Sequence, residues 1–141
     1  MKKILKYAVS TRDCGVPLGL LFVRVVGGIL MMTHGFAKFS NFSEISSAFP
    51  DPLEIGSKLS LSLVIGAELV ASFFVIIGLF SRLALIPIIF TMIVAFFVIH
   101  SADPFPVKEL ALLYMILFFG LFLTGPGKYS LDEIIYRKIK D

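Results

Sequence analysis

Charge is scarce in this 141-residue chain: Asp, Glu, Lys and Arg together supply 16% of it, and the mean hydropathy is +0.94. A domain of this length leaves about a third of its extended surface in solvent, so a chain that is 57% hydrophobic cannot hide its apolar surface in one core. The surplus needs lipid. Cysteine is nearly absent. The single Cys14 excludes an internal disulfide and a CxxC redox pair, so dithiol chemistry would have to come from a partner. No glycine-rich nucleotide loop follows a strand, and HExxH, GxSxG and Walker sequences are missing, so no soluble catalytic domain of those kinds is expected. The opening MKKILK is basic, but Lys6, Thr11, Arg12 and Asp13 interrupt any apolar run and no small-x-small cleavage site follows. Cys14 follows an aspartate, unlike a lipoprotein attachment site, and the first apolar run is expected to be a retained span.

What is present is four apolar runs, at residues 18–38, 59–80, 83–100 and 109–124. Crossing the hydrocarbon takes about 20 residues, with a lower limit near 17; the fourth run is short, but its core LALLYMILFFGLFL holds no charge. The fold class expected is all-α: an integral membrane four-helix bundle with short loops, a single domain over 1–141 with a tail from 125. Nine Lys and Arg residues lie on one side of these spans (Lys2, Lys3, Lys6, Arg12, Arg82, Lys128, Arg137, Lys138, Lys140) and three on the other (Lys38, Lys58, Lys108). That asymmetry places both termini of a multi-pass protein in the cytoplasm, and the inner membrane is its expected location. The net charge of +3 is thereby explained by lipid headgroups, and no nucleic-acid partner is expected.

The longest connection, SNFSEISSAFPDPLEIGSK, carries Phe42, Ile45 and Phe49 at helical spacing and then the turn Pro50-Asp51-Pro52, so a short interfacial helix is expected there. After the fourth span, Gly125-Pro126-Gly127 stops the helix. Ser130 and Glu133 form a capping box for a basic amphipathic helix expected to lie on the inner membrane face.

The polar residues inside the spans are the candidates for function. In RVVGGILMMTHGFAKF, residues 24–39, steps of about 100° put Arg24, Gly27, Gly28, Met31, His34, Gly35 and Lys38 within an arc of roughly 120°. That glycine-lined side should face the bundle, since glycines let membrane helices approach closely. Lys38 can snorkel to the interface. Arg24 cannot, and an arginine near the bilayer centre costs about 2.5–3.5 kcal/mol on insertion scales. Glu68 is the only acidic residue deep in a span, and the expectation is that it meets Arg24, directly or through water or a ligand, either to fix register or to form a ligand or proton site.

His34 and His100 sit near the outer ends of the first and third spans. Two histidines on different helices can ligate haem or a metal, but no further ligand set accompanies them. Hydrogen bonding, proton handling or interfacial placement is therefore preferred, with haem disfavoured and no metal site expected. Lys108 and Glu109 open the fourth run; Glu109 would favour the helix dipole of a first turn, or both would complete an outer polar pocket with His34, Lys38 and His100.

Arg24, the HGFAK stretch, AELVASFFVIIGLFSR with Glu68, and the closing GPGKYSLD resemble the DoxX family of small four-helix membrane proteins, over about residues 18–132. The resemblance implies association with quinol oxidase or thiosulfate:quinone oxidoreductase assemblies, or with sulfur-transferase and antioxidant proteins in redox-stress complexes. It points to Arg24, His34, Lys38 and Glu68. The reading is a membrane subunit of a quinone-linked or redox-stress oxidoreductase complex rather than an autonomous enzyme, with quinone the cofactor to consider and a redox protein the partner. A non-enzymatic scaffold that recruits a soluble protein is the alternative; a permease or lipid-binding protein ranks below both, since no inverted repeat is visible. Self-association through the glycine face, or through Ala67 and Ala71, is left open.

Overall fold

The structure is a computed structural model that describes residues 15–140. Cys14 and the N-terminal Lys2, Lys3, Lys6 and Arg12 lie outside the described residues. Among the described residues four helices are long and apolar enough to cross a membrane: α1 (Val16–Ser40), α3 (Ser57–Ile77), α4 (Ser81–Ile99) and α5 (Phe105–Thr124). A one-turn helix α2 (Phe42–Ile45) lies in the long connection, as its apolar spacing predicts, and α6 (Leu131–Lys140) forms the tail. Among the described residues there is no strand.

The boundaries have local causes. α5 begins at Phe105, four residues before the boundary expected from hydropathy, because Pro106 occupies a first-turn position where a missing N–H costs nothing. Glu109 consequently lies beyond the first turn, which corrects its assignment to the helix dipole. α3 ends at Ile77 rather than at residue 80 because Gly78 turns left-handed (φ 71°). Leu79 N then donates to Phe74 O (3.0 Å) and Gly78 N to Val75 O (3.1 Å), the paired bonds of a Schellman motif.

α1 packs against α3 and α5, and α4 closes the ring between the same two helices. The core they share is small, built on Met31, Val75, Leu85, Ile88, Phe118 and Leu121. Outside it stands a belt of exposed apolar side chains, Phe22, Phe36, Leu83, Phe90, Leu113 and Ile116 among them. In water that belt would be prohibitive; in a bilayer it is the lipid-facing surface. This is an integral membrane protein in a lipid bilayer.

The glycine face of α1 is buried as its periodicity predicts: Arg24, Gly27, Gly28, Met31 and Gly35 are its buried residues. A Cβ on Gly28 would come within 2.5 Å of Ile76 Cγ1, and one on Gly35 within 2.7 Å of Leu69 N. This face is taken up by packing inside the chain, as is buried Ala67, while Ala71 is half-buried.

Two of the spans depart from α geometry. α3 passes through a π-helical segment at Gly66–Ala71, and α4 ends in another at Ala95–Ile99, closed by His100 N donating to Ala95 O five residues back (2.9 Å). π segments are rare, cost hydrogen-bond quality and gather at functional sites.

Candidate functional site

Arg24 and Glu68 do not meet. The Arg24 guanidinium donates from Nη1 to Pro126 O and from Nη2 to Tyr129 O, both at 2.6 Å. The Gly-Pro-Gly loop that stops α5 and the residues after it fold back into the end of the bundle, where the Pro126 and Tyr129 carbonyls take the two terminal nitrogens, Nε is left without a partner, and Asp132 supplies opposite charge at longer range. Glu68 packs instead at the level of Gly35, 11 residues along α1 from Arg24, which is about 16 Å of helix. The expected pair is corrected on that distance.

Arg24 forms a lock with the tail. A Cβ on Gly78 would meet Arg24 Nη1 and Ser130 Cβ, each at 2.6 Å, so that position has no room for a side chain. Asp132 accepts from Phe80 N (2.7 Å) and Ser81 N (2.9 Å), so the tail caps the start of α4. Ser130 Oγ accepts from Glu133 N (3.2 Å), which is half of the expected capping box. The other half is missing because the Glu133 carboxylate is taken by Arg137 Nε (2.8 Å).

At the opposite end, Lys38 Nζ donates to Glu68 Oε2 at 2.6 Å; the Glu68 side chain is 5% exposed and that of Lys38 28%. Lys38 therefore does not snorkel. It lies one turn beyond Gly35, whose missing side chain lets the π segment carrying Glu68 come against α1. The pair forms one wall of a cavity of about 490 Å³ between the outer connection, α3 and α4. The rest of the lining is chiefly apolar (Phe49, Leu53, Val64, Ala67, Val94, Ile99), with Ser60, Thr91 and His100 the other polar side chains. Each irregularity of the two helices lines this space: the π segment of α3 through Ala67 and Glu68, the π segment of α4 through Ala95 and Ile99, and the in-helix Pro87. Leu63 and Phe90, also on its wall, are 55% and 51% exposed, so the cavity opens sideways between α3 and α4 toward lipid.

The remaining candidates divide. His100 lines the cavity and its Nδ1 lies 2.7 Å from Asp103 Oδ2. His34 does not line it; its ring stands edge-on to Tyr114 of α5 with centroids 5.7 Å apart. Lys108 donates to Ser101 O (3.2 Å) and sits over the Phe96 ring (5.4 Å), while Glu109 is exposed. The pocket expected from His34, Lys38, His100, Lys108 and Glu109 thus reduces to Lys38 and His100, joined by Glu68. The polar site expected from Arg24, His34 and Glu68 is likewise corrected, since the three have separate partners. Among the described residues no three His, Cys, Asp or Glu side chains cluster as a metal set.

The cavity floor is tied down by Asp51, which the sequence presents only as part of a turn. Asp51 accepts from Ser60 Oγ (2.6 Å), Gly56 N (2.7 Å) and Ile55 N (3.1 Å), fixing the outer connection to the start of α3. The Ser60 hydroxyl first, with the two backbone N–H groups, holds its carboxyl below the ordinary aspartate range against an opposing desolvation effect. A depressed folded value means the Asp51 contribution is present above the unfolded pKa of about 3.9 and is lost as pH falls through the folded value. Thermal midpoints should therefore fall on acidification below about pH 4, and Asp51→Asn should flatten that fall. An unchanged acid limb in the variant would contradict the role.

Known proteins share this chain's sequence over most of its length. The DoxX family profile matches residues 19–101. An uncharacterised protein of Haemophilus influenzae is 34% identical, the match covering 86% of this chain and 94% of that protein. A second from the same organism is 28% identical over 89% of this chain and 92% of its own length. A Bacillus subtilis protein named "Putative oxidoreductase CatD" is 29% identical over 88% of this chain and 92% of its own. No solved structure matches. The chain belongs to the DoxX family of membrane proteins.

Proposed function

We propose that this protein is the membrane subunit of a quinone-linked oxidoreductase complex, and that the cavity beside Lys38 and Glu68 holds the quinone headgroup. One observation carries the reading: a largely apolar space, open to lipid, with a buried carboxylate paired to a half-buried ammonium on its wall. A quinone ring needs apolar walls, its carbonyls need a donor, and the hydroxyls of the reduced form need an acceptor. Lys38 Nζ supplies the donor and Glu68 the acceptor. The lateral opening past Leu63 and Phe90 leaves room for an isoprenoid tail in the bilayer. Oxidation of a bound quinol releases two electrons and two protons. This chain would accept protons through Glu68 and exchange them near His100 and Asp103, while a redox partner protein takes the electrons. The oxidoreductase name borne by the Bacillus subtilis relative agrees with a redox role.

We read the tail end as cytoplasmic and the membrane as the inner membrane. Arg82, Lys128, Arg137, Lys138 and Lys140 gather at that end against Lys38, Lys58 and Lys108 at the other. The cavity then lies in the outer half of the bilayer. The test is extraction of quinone from protein purified in mild detergent. Wild type should retain close to one quinone per chain, and Glu68→Gln should lose most of it. Quinone at detergent-background levels in wild type would overturn the reading.

A further inference from the structure

A second hollow, of about 530 Å³, lies at the tail end between the start of α4, the Gly125–Gly127 turn and the start of α6. Its walls carry two cations, Arg82 and Lys128, and two carboxylates, Asp132 and Glu133. The carboxylates are committed: Asp132 to the N–H groups of Phe80 and Ser81, Glu133 to Arg137. The cations are not committed to acids. Arg82 donates Nε to Phe122 O (3.1 Å) and Nη2 to Leu123 O (3.4 Å), which hold the guanidinium plane in place and leave Nη1 without a hydrogen bond. Lys128 has no ion-pair partner among the described residues.

The surroundings state what kind of anion would come here. The hollow is framed by the first turn of α4 and the last turn of α5, the level at which hydrocarbon gives way to headgroups. Phe80, Leu83 and Tyr136 line it while 60%, 66% and 61% exposed, and Leu123 beside it is 62% exposed. Apolar and aromatic flanks below a fixed guanidinium and an ammonium match a molecule with a phosphate on acyl chains.

We propose that this hollow binds an anionic glycerophospholipid, its phosphate between Arg82 and Lys128 and its chains along Phe80, Leu83 and Leu123. Guanidinium and ammonium groups at the membrane surface are the donors that phosphate oxygens take up. The site is separate from the Lys38–Glu68 cavity and does not depend on what that cavity holds. Because the same turn supplies the Pro126 carbonyl that accepts from Arg24 Nη1, a lipid bound here would also brace the tail lock.

The experiment measures thermal unfolding of the detergent-purified full chain with added phosphatidylglycerol, phosphatidylcholine or inorganic phosphate, with lipid retention read by native mass spectrometry. Phosphatidylglycerol should raise the midpoint by about 3–6 °C more than phosphatidylcholine does. Lys128→Gln should remove about half of that difference and Arg82→Gln/Lys128→Gln nearly all of it. Lys138→Gln/Lys140→Gln, on α6 outside the hollow, should keep it. Arg82→Gln also removes bonds that cap α5, so the single Lys128→Gln variant carries the test if the double variant does not fold. Equal gains from the two lipids, the full gain in Lys128→Gln, the same loss in the α6 variant, or the same gain from inorganic phosphate alone would each overturn the proposal.

Discussion

Gly35→Val is expected to part the first two membrane-spanning helices and to abolish the Lys38–Glu68 pair with them. The added Cβ would sit 2.7 Å from Leu69 N and 2.9 Å from the Glu68 carbonyl carbon. Both are backbone atoms of the π segment, so no side chain can rotate out of the way. Overpacking of this kind costs about 3 kcal/mol or more. Gly27→Ala is the informative contrast: its Cβ comes closest to Leu117 Cδ2, at 3.0 Å, and a leucine can repack. A loss below about 1 kcal/mol is expected there. Unfolding titrations in mixed micelles, followed by far-ultraviolet circular dichroism, separate the two. Equal losses for the two variants would contradict the close approach at Gly35.

Arg24→Leu should release the tail. The substitution strands the Pro126 and Tyr129 carbonyls, now served by Nη1 and Nη2 at 2.6 Å, and each buried acceptor left unpaired costs about 1–3 kcal/mol. The loss is therefore about 2–6 kcal/mol and local in its first expression. Hydrogen exchange should rise at residues 127–132 and at Phe80 and Ser81, whose N–H groups rely on Asp132 from the same segment. Arg24→Lys should be intermediate, because one ammonium cannot span both carbonyls as the guanidinium fork does. Unchanged exchange across the tail in Arg24→Leu would show that the lock does not hold it.

The parts of this architecture that depend on periodicity are legible in the sequence. Apolar runs mark the four spans, the 100° step puts Arg24, Gly27, Gly28, Met31 and Gly35 on one buried side, and Ser130 marks the start of the tail helix. Depth is not legible in the same way. The premise that a buried cation needs a carboxylate pairs Glu68 with Arg24. Arg24 is served instead by carbonyls of a loop 102 and 105 residues away. Nothing in local sequence announces that return. The π segments are equally silent, because GAELVA and AFFVI have no composition unlike that of an α-helix. Yet they aim Glu68 into the cavity and shape its far wall. Lys38 reads as an interface anchor for the same reason, since its partner becomes visible only once Gly35 is seen to bring α3 against α1. Asp51 reads as a turn residue between prolines, and its cap on α3 depends on a serine nine residues on.

Photolabelling with an azido-quinone tests the central claim most directly, using the full chain in lipid vesicles and mapping adducts by mass spectrometry. Adducts should concentrate on residues 60–68 and 87–100, be displaced by unlabelled quinone, and fall about tenfold in Glu68→Gln, the loss expected from removing one charge-assisted hydrogen bond. Label spread evenly over the lipid-facing residues, undisplaced by competitor and unchanged in Glu68→Gln, would contradict a quinone site at this cavity.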